Sequence, residues 1–346
     1  MGEAVEDARS RLRMQDIAGI ANLGKEGLGM NLRKYYKGSS EKEKKQLIVK
    51  KIREAEEESR LVRVAALAKQ SQTLDWGVQQ KMVKRDSILG MPEAQLQFTI
   101  KAVYDLLPTP ANKNLWFRTD QYACHLCGGT GSLSHILSGC KIALAQGRYK
   151  WRHDRVLREL CFWLEEKRKS INNTQWKRKP IKFVKAGERS KEGKSHQTPI
   201  ESVLKNARDW KMKVDLPESP LVIPAHIAVT SQRPDVIITS EAIKQMYIIE
   251  LTVPMEGRCE ISTELKRTKY ELNLAEAAKM KGWRTTIYTV EIGCRGFASS
   301  SIINLLKDMG FSGAQRRSIV KKLCNEAEES SMHIWRCSHF KNWGRE

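Results

Sequence analysis

Two spacings of apolar residues run along this chain, and the switch between them divides it. Residues 1–40 are polar and dotted with glycine, with weak periodicity. Ser40 and Glu43 then have capping-box spacing, in which each side chain satisfies the other residue's backbone amide at a helix start. Beyond them Leu47, Ile48, Ile52, Ala55, Leu61, Val62, Val64 and Leu67 recur at helical intervals, which predicts one long amphipathic helix over 41–71. A second helix is predicted over 93–107, stopped by Pro108 and Pro110. A third is predicted over 148–169, with Val156, Leu157, Leu160 and Trp163 on its apolar side.

Further on the period shortens to two. RPDVIITS and QMYIIELTVP are β-branched runs bounded by polar residues, and each predicts a strand. STELKRTKYELNLAEAAKMK predicts a helix ended by Gly282, RTTIYTVEIG a strand, and SSSIINLLKDMG and AQRRSIVKKLCNEAEESS two closing helices. Strand, strand, helix, strand, helix is the order of an α/β layer. No internal repeat is visible. The expected class is a mixed α+β and α/β fold: a helical region over 1–115, a cysteine cluster and helix over 116–170, a basic linker over 171–200, and an α/β domain over 201–340.

Charge narrows the partners. Lys and Arg outnumber Asp and Glu 61 to 40, a formal charge of +21. That points to a polyanion, nucleic acid first and an acidic membrane surface second. No stretch approaches the roughly 20 apolar residues that would span a bilayer, so no membrane is expected. The opening MGEAVEDARSRLRMQ has no apolar signal core, and Gly2 lacks a Ser or Thr at the sixth position; a soluble intracellular chain is expected. Between Lys167 and Lys194 eleven Lys or Arg face only Glu188 and Glu192. Lys177, Arg178 and Lys179 in that run are candidate phosphate contacts, with a solvated linker as the plainer alternative.

Eight cysteines in such a chain are expected to be reduced thiols. Three of them, Cys124, Cys127 and Cys140, join His135 in a C-x2-C-x7-H-x4-C spacing. Two thiolates on a tight turn, with a His and a Cys about one helical turn apart, close a tetrahedron around a structural Zn²⁺. The intervening Gly128, Gly129 and Gly131 allow the chain to double back. His125, inside the first pair, is the poorer ligand. Cys324, Cys337 and His339 fit no standard finger and read as core or surface groups.

Asp235 opens one predicted strand and Glu250 lies inside the next, flanked by Ile248, Ile249, Leu251 and Val253. A carboxylate in so apolar a strand needs a partner or a metal. Two acids from adjacent strands are what a Mg²⁺-dependent hydrolase uses to activate water against a phosphodiester. Nuclease cores of the PD-(D/E)xK type place a lysine two residues after the second acid, where this chain has Thr252. Lys266, Lys269 and Tyr270 lie on one face of the following helix and offer a substitute amine, against the plainer reading of a solvated face.

Taken together, DLLPTPANKNLW, CHLCGGTGSLSHILSGC, GRYKWRHDRVL, RPDVII, IIELTVPMEGRCE, LKRTKYELN and VEIGCRGF resemble the C-terminal part of a non-LTR retrotransposon polyprotein, of the lineage with a restriction-enzyme-like endonuclease. The resemblance spans about residues 90–335, with the motifs in the family's order. It implies a restriction-like core in which Asp235 and Glu250 bind the catalytic metal, Lys269 is the displaced catalytic lysine, and Lys266 and Tyr270 are auxiliary. It implies nucleic-acid contact by Arg152 and His153, DNA as the substrate, RNA as a second partner and a nuclear location. Such elements carry a reverse transcriptase marked by an Asp-Asp turn. This sequence has no Asp-Asp dipeptide, so any polymerase partner is expected to be encoded elsewhere.

Overall fold

A strand that is apolar at every position must be covered on both faces, and the strands predicted here lie between two helical layers. The structure, a computed structural model, describes residues 88–174 and 202–343, with scattered positions between 40 and 62. The chain falls into two compact units, Met1–Gln70 and Ser71–Glu346. In the first, the described positions from Lys42 to Val62 are helical, and the capping box is formed. The Ser40 amide donates to Glu43 at 2.8 Å, and the Glu43 amide to the Ser40 hydroxyl at 3.4 Å. The remainder of the helix predicted to 71 lies outside the described residues.

The second unit begins with α1 (Glu93–Val103) and α2 (Pro110–Phe117). The predicted helix over 93–107 ends early because Asp105 turns to a left-handed φ of 52° and Leu107 is buried. Pro110 starts a helix as well as stopping one: it occupies the first turn, where its missing N–H costs nothing, and the Thr109 hydroxyl caps it by accepting from the Asn112 amide at 3.2 Å. A π-turn (His135–Gly139) and α3 (Lys141–Ala145) lead into α4 (Arg148–Asn172). Then come β1 (Lys211–Val214), β2 (Val236–Ser240), β3 (Gln245–Thr252), α5 (Cys259–Tyr270), a second π-turn (Glu271–Ala275) and α6 (Glu276–Met280). β4 (Arg284–Gly293), β5 (Phe297–Ala298), α7 (Ser300–Asp308) and α8 (Gly313–Arg336) complete it.

The five strands form one sheet in chain order. β1–β2, β2–β3 and β4–β5 pair antiparallel, while β3 and β4 are parallel and therefore need the α5–α6 crossover between them. β3 is buried from Gln245 through Leu251 because its two faces enter different cores. Tyr247, Ile249 and Leu251 join α1, α4, α7 and α8 in the larger core, and Met246 and Ile248 pack with Tyr270, Leu274, Ala278 and Trp283 in the smaller. The larger core also takes in Leu133, Ile136 and Leu137 from the cysteine-cluster region. The boundaries expected at 115 and 170 therefore do not separate cores: one apolar interior runs across them.

The β4–β5 turn is locked by a buried ion pair. Arg295 Nε donates to Glu256 at 2.7 Å, its backbone amide donates to the same carboxylate at 2.8 Å, and its Nη1 reaches the Ala102 carbonyl of α1 at 3.0 Å. Only glycine fits beside it: a Cβ at Gly293 would lie 2.5 Å from Glu256 Cγ. Gly293→Ala should displace a carboxylate that cannot be left unpaired, lowering stability by about 3–5 kcal/mol in denaturant unfolding. An unchanged unfolding midpoint would show that the turn yields freely.

Candidate metal cluster and acidic site

The C-x2-C turn is a short β-bridged loop. Ala123 pairs with Thr130, the Cys124 amide donates to the Gly129 carbonyl at 2.6 Å, and Gly128 takes a left-handed φ of 73°. The other two ligands flank the first π-turn. One ligand atom from each of Cys124, Cys127, His135 and Cys140 lies within 4.8 Å of the others. Cys124 and Cys140 sulfurs are 4.0 Å apart, and Cys127 Sγ is 3.1 Å from His135 Nε2. Those separations match the edges of a tetrahedron with metal–ligand bonds of about 2.0–2.3 Å. The cluster can hold a metal such as zinc, and with four protein ligands it leaves no open position. Among the described residues, no other group of three or more His, Cys, Asp or Glu gathers in this way. His125 is exposed and outside it.

Local forces support the cluster. The Gly129 amide beside Cys127 holds its thiol below the ordinary range, whereas burial raises the Cys140 thiol and keeps His135 neutral. The Tyr149 hydroxyl, on α4, donates toward the His135 and Ile136 carbonyls at 3.2 and 2.9 Å and accepts from the Cys140 amide at 3.0 Å. Both cluster halves are thereby tied to one side chain.

The acidic site lies at one end of the sheet. Val236 is opposite Ile249 in the antiparallel register, so Asp235 is opposite Glu250 and shares its face. Each acid is held by the other strand's backbone: the Asp235 amide donates to Glu250 Oε2 at 3.1 Å, and the Leu251 amide to Asp235 Oδ2 at 2.7 Å. Lys266 of α5 places its ammonium 2.7 Å from Glu250 Oε1 and 3.1 Å from the Leu251 carbonyl. From α4, His153 reaches Asp235 at 3.2 Å through Nε2 and Asp154 at 3.0 Å through Nδ1.

Burial disfavours a charged His153, but its hydrogen bonds to Asp154 and Asp235 outweigh that and raise its pKa to about 9. Burial likewise opposes ionisation of Asp235, yet the His153 bond and charge, with Lys266 behind them, keep it below the ordinary range. Glu250 goes the other way. Burial and then the Asp235 charge raise it, and Lys266 only partly compensates. The two neighbouring acids thus differ in proton affinity, a pattern common at sites that bind or move charge.

The expected residues divide unevenly around this site. Asp235, Glu250 and Lys266 meet directly. Tyr270 is beside them, its hydroxyl donating to the Arg233 carbonyl at 3.3 Å, and burial followed by the Glu250 charge raises its pKa. Lys269, the catalytic lysine that the resemblance implies, holds its ammonium one step out, 3.4 Å from the Tyr270 hydroxyl and 4.8 Å from that ring. Its side chain is exposed, and the amine on Glu250 is that of Lys266. Arg152 departs further from expectation. It is 2% exposed and bonds the Leu137 carbonyl, the Val253 carbonyl and the Ser331 hydroxyl, so it is an internal strut rather than a nucleic-acid contact. His153 faces Asp235. Asp154, which the sequence pattern did not single out, completes the set; it is buried along α4 with Arg148 and Arg152. Lys177, Arg178 and Lys179 lie outside the described residues.

The fold and these two clusters define a mixed α/β protein with a Cys/His metal-binding cluster and a buried acid–lysine–histidine site. Among the described residues, no helix is long and apolar enough to cross a membrane. The chain matches no protein-family model and no curated protein.

Elemental analysis should find one zinc per chain, and Cys127→Ser should lose it and lower the thermal midpoint. A metal-free wild type that melts as the variant does would remove the zinc assignment.

Proposed function

We propose that this protein is a Mg²⁺-dependent DNA endonuclease with a restriction-like core, of retrotransposon origin, whose zinc knuckle aids nucleic-acid binding. The observation that carries the reading is the cross-strand pair Asp235–Glu250 with Lys266 on Glu250. The order of α4, three antiparallel strands, the α5 crossover and parallel β4 supports it, as does the resemblance of the motifs. DNA is its substrate and RNA a further partner. A nuclear site of action and a polymerase encoded elsewhere follow from the same reading.

The donor set fits a hard divalent ion: the Glu250 carboxylate and Leu251 carbonyl that the Lys266 ammonium contacts, with the Asp235 carboxylate on the adjacent strand, are all oxygen. When bound, the ion supplies Lewis acidity and a more acidic water. The protein's own residues do the rest. His153 keeps Asp235 ionised and oriented. Lys266, held on Glu250, places a positive charge where a phosphate's developing charge is stabilised. Tyr270 supports Lys269 at the rim. The second π-turn interrupts the helix immediately after Tyr270, as such turns often do beside functional sites.

A second reading has one observation in its favour. Lys266 and His153 each pair with one of the two acids, as the acids of a non-catalytic nucleic-acid-binding protein with an inactive nuclease fold would require.

A plasmid-nicking assay separates the two. Wild type with Mg²⁺ should convert supercoiled to open-circular DNA, and Asp235→Ala and Glu250→Ala should not, while retaining DNA binding. Lys266→Ala should slow cleavage by about 10²-fold or more, and Lys269→Ala by less. A folded, zinc-loaded wild type that never nicks would leave the binding reading standing.

A further inference from the structure

α2 is a helix without a core. None of its residues is buried, and its last turn presents Leu115, Trp116 and Phe117 to solvent at 76%, 42% and 70% exposure. Tyr122, 54% exposed, lies at the entrance to the knuckle loop. An eight-residue helix does not persist on its own propensity. This one is fixed at its N-terminus instead. Asn112 Nδ2 donates to the Asp105 and Leu107 carbonyls at 2.7 and 2.9 Å, and the Ala111 amide donates to Gly131 of the knuckle at 3.2 Å. Contact there is tight enough that a Cβ at Gly131 would fall 2.7 Å from Pro110. The far end stops at Arg118 in a left-handed φ of 50°.

The cysteine cluster therefore holds out a helix whose apolar end is largely exposed among the described residues. Trp116 and Phe117 sit edge-on to each other, with centroids 6.3 Å apart and planes at 90°, which leaves ring faces open. The charges around them are mostly positive. Lys113 and Arg118 flank the rings along the chain, and Asp120 is the one acid between 110 and 131. Open aromatic faces between cations fit a chain that carries phosphates and unpaired bases. A paired duplex offers the phosphates but hides the base faces.

We infer that the exposed end of α2, with Trp116 and Phe117 flanked by Lys113 and Arg118, is a stacking platform for single-stranded nucleic acid. The platform is separate from the acidic site and holds whether or not that site cleaves DNA.

The test uses the zinc-loaded full chain without magnesium, a labelled oligo-dT of about 20 nucleotides and a duplex of equal length, read by fluorescence anisotropy. Trp116→Ala with Phe117→Ala should weaken binding to oligo-dT about tenfold or more and change duplex affinity by less than about twofold. Trp116→Phe with Phe117→Tyr should restore it, and zinc content should match wild type throughout. A bromodeoxyuridine-substituted oligonucleotide should crosslink within residues 114–118. An equal loss on both probes, no loss on either, or crosslinks confined elsewhere would overturn the proposal. So would unchanged binding together with a wild-type self-association that the double-alanine variant abolishes, which would make the patch a protein-docking face.

Discussion

The buried guanidinium of Arg152 is the interaction on which the rest of the second unit depends. A charge taken out of water is tolerable only when its donors are used. The two terminal nitrogens of Arg152 are spent on three parts of the chain: the Leu137 carbonyl beside the cysteine cluster, the Val253 carbonyl just past β3, and the Ser331 hydroxyl of α8; its Nε is buried without a partner among the described residues. The next residue, His153, holds Asp235, and Val253 is three residues beyond Glu250. One turn of α4 thus fixes the cysteine cluster, the strand bearing Glu250 and the ring oriented on Asp235. Truncating Arg152 would leave buried acceptors unpaired, each at about 1–3 kcal/mol.

The sheet also creates a problem that the helices solve. Antiparallel pairing of β2 with β3 forces Asp235 opposite Glu250, and the low-polarity surroundings magnify their repulsion. Counter-charges arrive from two helices far apart in sequence, His153 on α4 and Lys266 on α5. Lys266 consequently has a structural part whatever its part in catalysis. Loss of activity on its replacement is informative only alongside a measurement of folding.

Much of this was legible in the sequence because it is local or periodic. β2, β3 and β4 follow from β-branched runs, the cysteine cluster from its spacing, and the facing of Asp235 and Glu250 from adjacent strands. What stayed hidden depends on tertiary contact. β1, KMKV, is charged at alternate positions and takes its strand conformation from pairing with β2. α2 begins at a proline that reads equally well as a stop. Helical spacing puts Lys266 and Lys269 on one face but does not say which is turned toward the sheet. An arginine in a strongly basic helix reads as surface, and only the packing of α8 against α4 reveals Arg152 as interior.

The cysteine cluster is accordingly part of the scaffold of the acids, and not an attached module. Leu133, Ile136 and Leu137 sit between its ligands and also belong to the core that packs on β3 and α8. A metal that binds only the folded cluster stabilises everything sharing that core, by an amount set by its concentration over its dissociation constant. The chain of contact is short: the cluster ligands bracket the turn at His135–Gly139, that turn presents the Leu137 carbonyl to Arg152, and the helix turn bearing Arg152 carries His153 to Asp235. Order at the cysteine cluster and order at the acids are therefore two ends of one set of contacts.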